Sequence, residues 1–337
     1  MNGMTRHIRQ MVLLAAGLLA GCAVETPEVK THQTEIAVKT NLTPMRKRAN
    51  TINNVTALQG YDLKIDAYFH GTDTKYLDGV KLHYNESEWM FWDGSAQLHY
   101  YWPIEGSVYD PDGVNITNMS LDFVGFCPYE KPSYIGTPTY NHATGASFTA
   151  TLPTTTVAAV DYMTIGNQAS LQEHLIAVLD SQTLAKQTAA GGALPLQFKH
   201  PFALVKFVLN AASGTHVQID SISIAELNTG GTCTYNGTTM SWGSYTGSGT
   251  LIIREVLKIG GTTETSTGFV VIPQNYGTKY LTVSATWDDW SHPDKVTISD
   301  YGTEVDLNWE AGRIYTYNLT LDKYGLKVDA GKYTEQW

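Results

Sequence analysis

Arginine is almost absent from this sequence after residue 22. Only Arg46, Arg48, Arg254 and Arg313 occur there. Lysine and arginine together number 22 against 32 acids, for a formal charge of −10. A surface this acidic repels nucleic acid, whose binding needs many phosphate contacts, so nucleic acid is not an expected partner. Cysteine is scarcer still, with Cys22, Cys127 and Cys233. There is no CxxC, and the ten histidines form no HExxH, so metal-site spacing is missing. Neither GxSxG nor a phosphate-binding glycine loop occurs. Without a catalytic constellation, neither an enzyme nor a cofactor is expected.

Long apolar runs are missing too. Met11 to Ala20 is too short to span a bilayer as a helix. It follows Arg6 and Arg9 and ends in "LLAGC", where small residues stand just before Cys22. The stretch resembles the bacterial lipobox. Residues 1–21 are then a lipoprotein signal peptide, and the Cys22 thiol takes up a diacylglyceryl group. Its acyl chains contribute roughly 0.8 kcal/mol per buried methylene, enough for lasting attachment to a membrane. Loss of residues 1–21 removes Arg6 and Arg9 and no acid, so the charge falls from −10 to −12. Residues 22–33 are polar and read as a tether, reaching roughly 17–20 Å over about 11 residues. Cys127 and Cys233 lie far apart in sequence. A disulfide and two buried free thiols are both open.

What is present is concentrated. Arg46, Lys47 and Arg48 stand side by side in "TPMRKRAN". Three readings compete for them: an anion site, a protease site and a solvated loop. The acidic balance disfavours the first.

Most of the chain shows the period-2 alternation of half-buried strands. "DLKIDAY" sets Leu63, Ile65 and Ala67 against Asp62, Lys64 and Asp66. "ASFTATL" does the same with Phe148, Ala150 and Leu152. "YLTVSATW" aligns Leu281, Val283, Ala285 and Trp287, and "RIYTYNLTL" aligns Tyr315, Tyr317, Leu319 and Leu321. In "HVQIDSISI" the parity slips between Ile219 and Ile222, which predicts a bulge near Asp220 and Ser221. "SLQEHLIAVLDSQTLAKQ" stays ambiguous. Ser170 and Glu173 suit a capping box, whereas "HLIAVL" suits a buried strand. Short strands with Gly, Asn and Asp punctuation argue for antiparallel sandwiches. "KQTAAGGALP" is the best internal boundary, dividing 34–194 from 195–337.

Other candidate features have ordinary explanations. His200 in "FKHPFA" reads as a core or edge histidine. "YDPDGVN" lacks the later acidic ligand of a calcium loop and reads as a turn. "WDDW" offers paired carboxylates, and a strand end followed by a turn explains it equally well. "EWMFWDGSAQLHYYWP" packs Trp89, Phe91, Trp92, Tyr100, Tyr101 and Trp102 around an Asp93-Gly94 hairpin turn. Core filling accounts for these rings more readily than sugar stacking does.

The order of motifs carries a resemblance. "LQFKHPFALVKFVL", "GFVVIPQ" and "WEAGRIYTYNLTLDKYGLKV" follow one another before a terminal Trp337. Upstream stand the lipobox, "TEIAVKTN", an arginine-containing loop, "YDLKIDAYF", "YYWPIEG" and "LDFVGFCPYE". Together they resemble the fimbrillin family of Bacteroidia, the type V pilus subunits and their lipoprotein relatives. That resemblance implies an all-β fold of two tandem transthyretin-like antiparallel β-sandwich domains. It implies an outer-membrane surface lipoprotein, held by lipid at Cys22, that contacts other pilus subunits and host or bacterial surface ligands. It also implies cleavage at Arg46 or Arg48 by an arginine-specific protease. A leaving strand with Ile36 and Val38 would follow, and a donor segment with Leu326, Val328 and Trp337. The same tail could serve as an intramolecular strand, and some family members keep their lipid uncut. The competing reading is a non-polymerising, glycan-binding surface lipoprotein that uses the aromatic hairpin.

Overall fold

The computed structural model describes residues 33–42, 52, 54–104, 118–153, 155–157, 160–163, 171–211, 216–253, 257–260, 263–266, 268–287, 296–322, 325–328 and 333–336. Strands dominate. The first twelve are β1 (Val38–Leu42), β2 (Leu63–Phe69), β3 (Lys75–Tyr84), β4 (Trp89–Trp92), β5 (Gln97–Leu98), β6 (Leu121–Cys127), β7 (Thr139–Asn141), β8 (Gly145–Thr151), β9 (Thr155–Val157), β10 (Val160–Met163), β11 (Leu175–Gln182) and β12 (Leu194–Phe198). Then come β13 (Ala203–Ala211), β14 (His216–Leu227), β15 (Gly230–Tyr235), β16 (Met240–Thr246), β17 (Gly249–Ile253), β18 (Leu257–Gly260) and β19 (Glu264–Thr265). The last are β20 (Phe269–Val271), β21 (Asn275–Trp287), β22 (Val296–Asn308), β23 (Arg313–Asp322), β24 (Gly325–Val328) and β25 (Tyr333–Gln336). Two short helices, α1 (Val55–Leu58) and α2 (Leu184–Ala189), complete the described elements.

A six-stranded sheet ordered β11-β6-β2-β3-β4-β5 organises the first part of the chain. Every residue of β6 is buried, because the two faces of that strand serve different cores. Leu121, Phe123 and Cys127 join one apolar cluster, with Leu63, Ile65, Ala67 and the β1–β12 pair. Val124 and Phe126 join a second cluster, with Phe148 of β8 and most of the later strands. Gly125 lets the β1–β12 layer come close: a Cβ there would lie 2.9 Å from Cζ of Phe198.

A four-stranded sheet, β16-β15-β8-β7, draws strands from both halves of the chain. The β22-β21-β14-β17-β10-β9 sheet also carries β18, and the β19-β13-β23-β24 sheet also carries β20 and β25. The division expected near residue 194 falls at the first residue of β12, and the β8–β15 ladder runs across it. Most pairings are antiparallel, as the alternation implies. Among the described residues three are parallel: β1–β12, β10–β17 and β13–β23.

The apolar faces are buried largely as read, although Asp66 on the opposite face of β2 is buried too and the Trp287 side chain lies outside the described residues. Leu281, Val283 and Ala285 are buried along β21, and Tyr315, Tyr317, Leu319 and Leu321 along β23. The parity slip in β14 is a register shift against β21 between Ile219 and Ser221, which keeps Ile222 and Ile224 in the core. "HLIAVL" is a strand, with Leu175, Ile176 and Ala177 all buried. Helix begins only afterwards, where the Thr183 side chain accepts the Lys186 N–H and caps α2. Cys127 and Cys233 are both free and buried. Asp93 and Gly94 do form the turn between β4 and β5, with Asp93 Oδ1 accepting the N–H groups of Ser95 and Ala96. "YDPDGVN" and the two acids of "WDDW" lie outside the described residues.

Candidate functional site

The first strand is held by a five-residue parallel ladder and a single antiparallel bridge. Alternation from Ile36 to Val38 turns both side chains into the first core, where they are 1% and 4% exposed. Leu42 is buried at the far end. Burying each such side chain contributes about 1.5–3 kcal/mol.

The backbone of this strand has two neighbours. On one side β12 runs parallel to it, from Val38 opposite Leu194 to Leu42 opposite Phe198. On the other, Glu35 bridges Tyr101 antiparallel. There the Ile36 N–H donates to the Tyr100 carbonyl at 2.7 Å, and the Trp102 N–H donates to the Thr34 carbonyl at 3.1 Å. α2 supplies further ties. Lys39 Nζ donates to the Ala190 carbonyl at 2.7 Å, just past the end of α2, and the Gln187 side chain reaches the strand backbone.

Past residues 43–51 the chain is pinned again. Buried Glu173 accepts the Ile52 N–H at 2.7 Å and pairs with Nδ1 of buried His200 at 2.5 Å. His200 is therefore a partnered core histidine, as its apolar neighbours suggested. Ile52 is itself 1% exposed. A chain opened between Leu42 and Ile52 would leave two anchored ends, the upstream one held chiefly by β1.

The C-terminal tail folds back on its own chain. β24 runs antiparallel to the end of β23, with Leu321 opposite Leu326 and Leu319 opposite Val328. β25 continues along the start of β23, with Thr316 opposite Tyr333 and Arg313 opposite Gln336. The positions of Leu326 and Val328 thus lie in an edge strand. Cys22, Arg46, Arg48 and Trp337 lie outside the described residues. The structure brings Ile36 and Val38 together and places the described donor positions in a different sheet.

The aromatic hairpin divides its rings. Phe91 and Trp102 are buried, Trp89, Trp92 and Tyr100 are half-buried, and Tyr101 is exposed. Phe91 meets Tyr100 edge-on at 5.1 Å, and Trp102 meets Phe123 edge-on at 6.2 Å. Sequence reasoning put Trp102 in the core, but its indole N–H bond to Gln187 had no signal there, since the partner lies 85 residues away.

One cluster could share a cation. The ligand atoms of His70, Asp122 and Asp180 lie within 4.8 Å of one another. Hydrogen bonds already occupy them: His70 Nδ1 is 2.8 Å from Asp122 and 3.0 Å from Asp180, while Asp122 also accepts from Tyr140 Oη and the Ser181 N–H. Burial pushes the Asp122 carboxyl up, but hydrogen bonds from Asp180, Ser181, Tyr140 and His70 together hold it below its usual value. The hydrogen bond to Asp122, together with burial and the Asp122 charge, raises Asp180 above its usual value. The cluster acts as a polar link between β2, β6, β11 and β7.

The fold is many-stranded and multi-sheet, and its class follows from its family. The chain belongs to the fimbrillin-like family, whose model matches residues 48–337. It is similar to the crystal structure of a fimbrial protein from Bacteroides vulgatus, at 12% identity and a TM-score of 0.59, covering 90% of this chain and 99% of that one. It also aligns with a candidate cell adhesion protein from Bacteroides uniformis, at 16% identity and a TM-score of 0.48, over 90% and 99% of the two chains. The tip fimbrial protein Mfa3 from Porphyromonas gingivalis aligns at 10% identity and a TM-score of 0.41, over 90% and 100%. The Bacteroides vulgatus match speaks for the fold, and no curated protein matches the sequence.

Proposed function

We propose that this chain is a cell-surface pilus subunit, structural and adhesive rather than catalytic. On this reading it is carried to the outer membrane by lipid at Cys22 and assembles by strand exchange after cleavage at Arg46 or Arg48. Membership of the fimbrillin-like family supports the pilus role. The observation that carries the exchange step is the attachment of the first strand: five residues on β12, one bridge to Tyr101, and a stretch bearing two arginines directly downstream.

The energetics set a condition on exchange. Loss of residues 34–42 uncovers the pockets of Ile36, Val38 and Leu42, at about 1.5–3 kcal/mol each. That total rivals the whole stability of a typical domain, about 5–15 kcal/mol. The strand therefore does not leave an empty groove behind. An extended segment with alternating apolar residues must replace it, restoring both the ladder and the pockets. The tail with Leu326, Val328 and Trp337 is the proposed donor. To donate, it must first leave β23, whose pairing it would exchange for that of another subunit's groove.

The test is native trypsin treatment of the lipidated precursor. The reading predicts a product beginning at Lys47 or Ala49 that forms ladders on unboiled gels. A precursor that resists cutting there and stays monomeric at high concentration would rule out strand exchange.

A further inference from the structure

β12 begins too late to pair with the whole first strand. Its first residue, Leu194, donates its N–H to the Ala37 carbonyl at 2.8 Å. Before it, Gly191 and Gly192 adopt φ of +84° and +95° as the chain turns out of α2, so no strand extends β12 upstream. On that side the N–H of Ala37 and the carbonyl of Glu35 would face a gap.

Gln187 fills it. Its Oε1 accepts the Ala37 N–H at 3.1 Å, and its Nε2 donates to the Glu35 carbonyl at 2.9 Å. These are the two bonds a neighbouring strand would make. The side chain is buried at 4% exposure, unusual for a glutamine inside a helix of polar and small residues. Its orientation is fixed independently, because Oε1 also accepts the Trp102 indole N–H at 3.2 Å. A flipped amide would set its NH2 against two donors. Trp102 in turn donates its backbone N–H to Thr34 on the opposite side of the strand. One glutamine and one tryptophan thus grip both sides of residues 34–37.

We infer that Gln187 is a one-residue surrogate strand that reads the backbone of whatever extended segment occupies the β1 groove and sets its register. The inference rests on the strand-exchange reading for its second occupant, an extended segment of another copy of this chain. On the strand Gln187 bonds only peptide groups, so it is indifferent to the side chains of the segment it holds. It demands a carbonyl and, two residues on, an N–H, which excludes proline at the position of Ala37. A one-residue slip would offer the wrong groups to Gln187 and turn Ile36 and Val38 away from the core, so both devices enforce one register.

The experiment compares uncut full-length protein with Gln187→Met, which keeps the volume and removes both bonds. Hydrogen exchange of the Ala37 amide should rise at least tenfold, while the amides of β2 keep their protection. After trypsin, release of the first strand should accelerate by a similar factor. Unchanged Ala37 exchange, or an equal loss of protection in β2, overturns the clamp. Should Gln187→Met not fold, Trp102→Phe removes the indole N–H that orients the amide. A smaller rise at Ala37 is then expected, and no rise overturns the inference. Retention of the first strand in cut wild-type protein counts against exchange alone, because the uncut measurement tests the clamp separately.

Discussion

β1 and β23 are both strands with buried apolar faces and a parallel neighbour, yet they are held in opposite ways. β23 pairs with β13 over eight residues, from Leu204 opposite Ile314 to Ala211 opposite Leu321. Its other edge is covered by β24 and β25. β1 pairs with β12 over five residues, and its upstream end depends on one bridge and a side chain. The eight-residue ladder to β13 around an apolar seam holds β23 in its core whether or not β24 and β25 stay paired. Where one ladder is five residues continued by a glutamine and the other is a single bridge, local opening needs fewer contacts to break. On the proposed reading, β13–β23 is the region that stays and the first strand the one that leaves.

The largest effect should come from the β13–β23 region. Phe207 on β13 is fully buried and stacks on Tyr317 of β23 at 5.7 Å. Phe207→Ala should cost about 3–5 kcal/mol in urea unfolding, by lost transfer energy and an unfilled cavity. Ile36→Ala, at the lower end of about 2–5 kcal/mol for such truncations, should instead act locally. It should raise exchange of the β1 amides far more than it lowers the unfolding midpoint. If Ile36→Ala shifts the midpoint as much as Phe207→Ala does, β1 is integral to the fold and the comparison breaks.

The second effect probes a polar group inside the second core. His174 lies fully buried, stacked on Phe126 at 5.8 Å and edge-on to Phe148 at 4.9 Å. Burial pushes its imidazole down to about 3, with Lys131 adding to the effect and the Cys127 backbone opposing it. The folded state therefore holds it neutral, while the unfolded chain takes up a proton near pH 6.5. Its contribution is complete above about pH 6.5 and falls away as pH drops toward 3. Between pH 7 and pH 5 the loss is about 2 kcal/mol, at 1.36 kcal/mol per unit below the ordinary value. His174→Leu should flatten that slope in urea titrations at pH 5 and 7. A slope that survives the substitution would show that another group makes the second core acid-sensitive.

Much of this fold was legible in the chain because alternation reports directly on a half-buried strand. The β14 slip is the clearest case: two parities in nine residues required an extra residue, and the register shift supplies it. Legibility failed where both faces are buried. β11 and β6 alternate little because each face of their sheet meets a core, so "HLIAVL" could not be told from a helix by period. It failed again for the parallel pairs, since periodicity does not choose a neighbour. Gln187 was invisible for a different reason. Its two partners on the first strand stand 150 and 152 residues away, and a glutamine beside a Gly-Gly pair looks like any boundary.

The smallest effect lies where the six-stranded sheet meets the four-stranded one. Tyr140 of β7 donates to Asp122 of β6, and His70 at the end of β2 donates to the same carboxylate. The hydrogen bond to Asp122, then the charges of Asp122 and Asp180, raise His70 above its usual value against the opposing pull of burial. A raised histidine contributes stability that is complete below about pH 6.5 and is lost as pH climbs through the folded-state value. The His70 side chain is 35% exposed, so solvent screening keeps the effect under about 1 kcal/mol. It therefore runs opposite in sign to that of His174 and occupies a higher pH window. His70→Gln should remove the decline in stability as pH rises above about 6.5 while leaving the acid limb to His174. If the decline persists, another titrating group makes it, and the His70–Asp122 bond does not couple the joining of these sheets to pH.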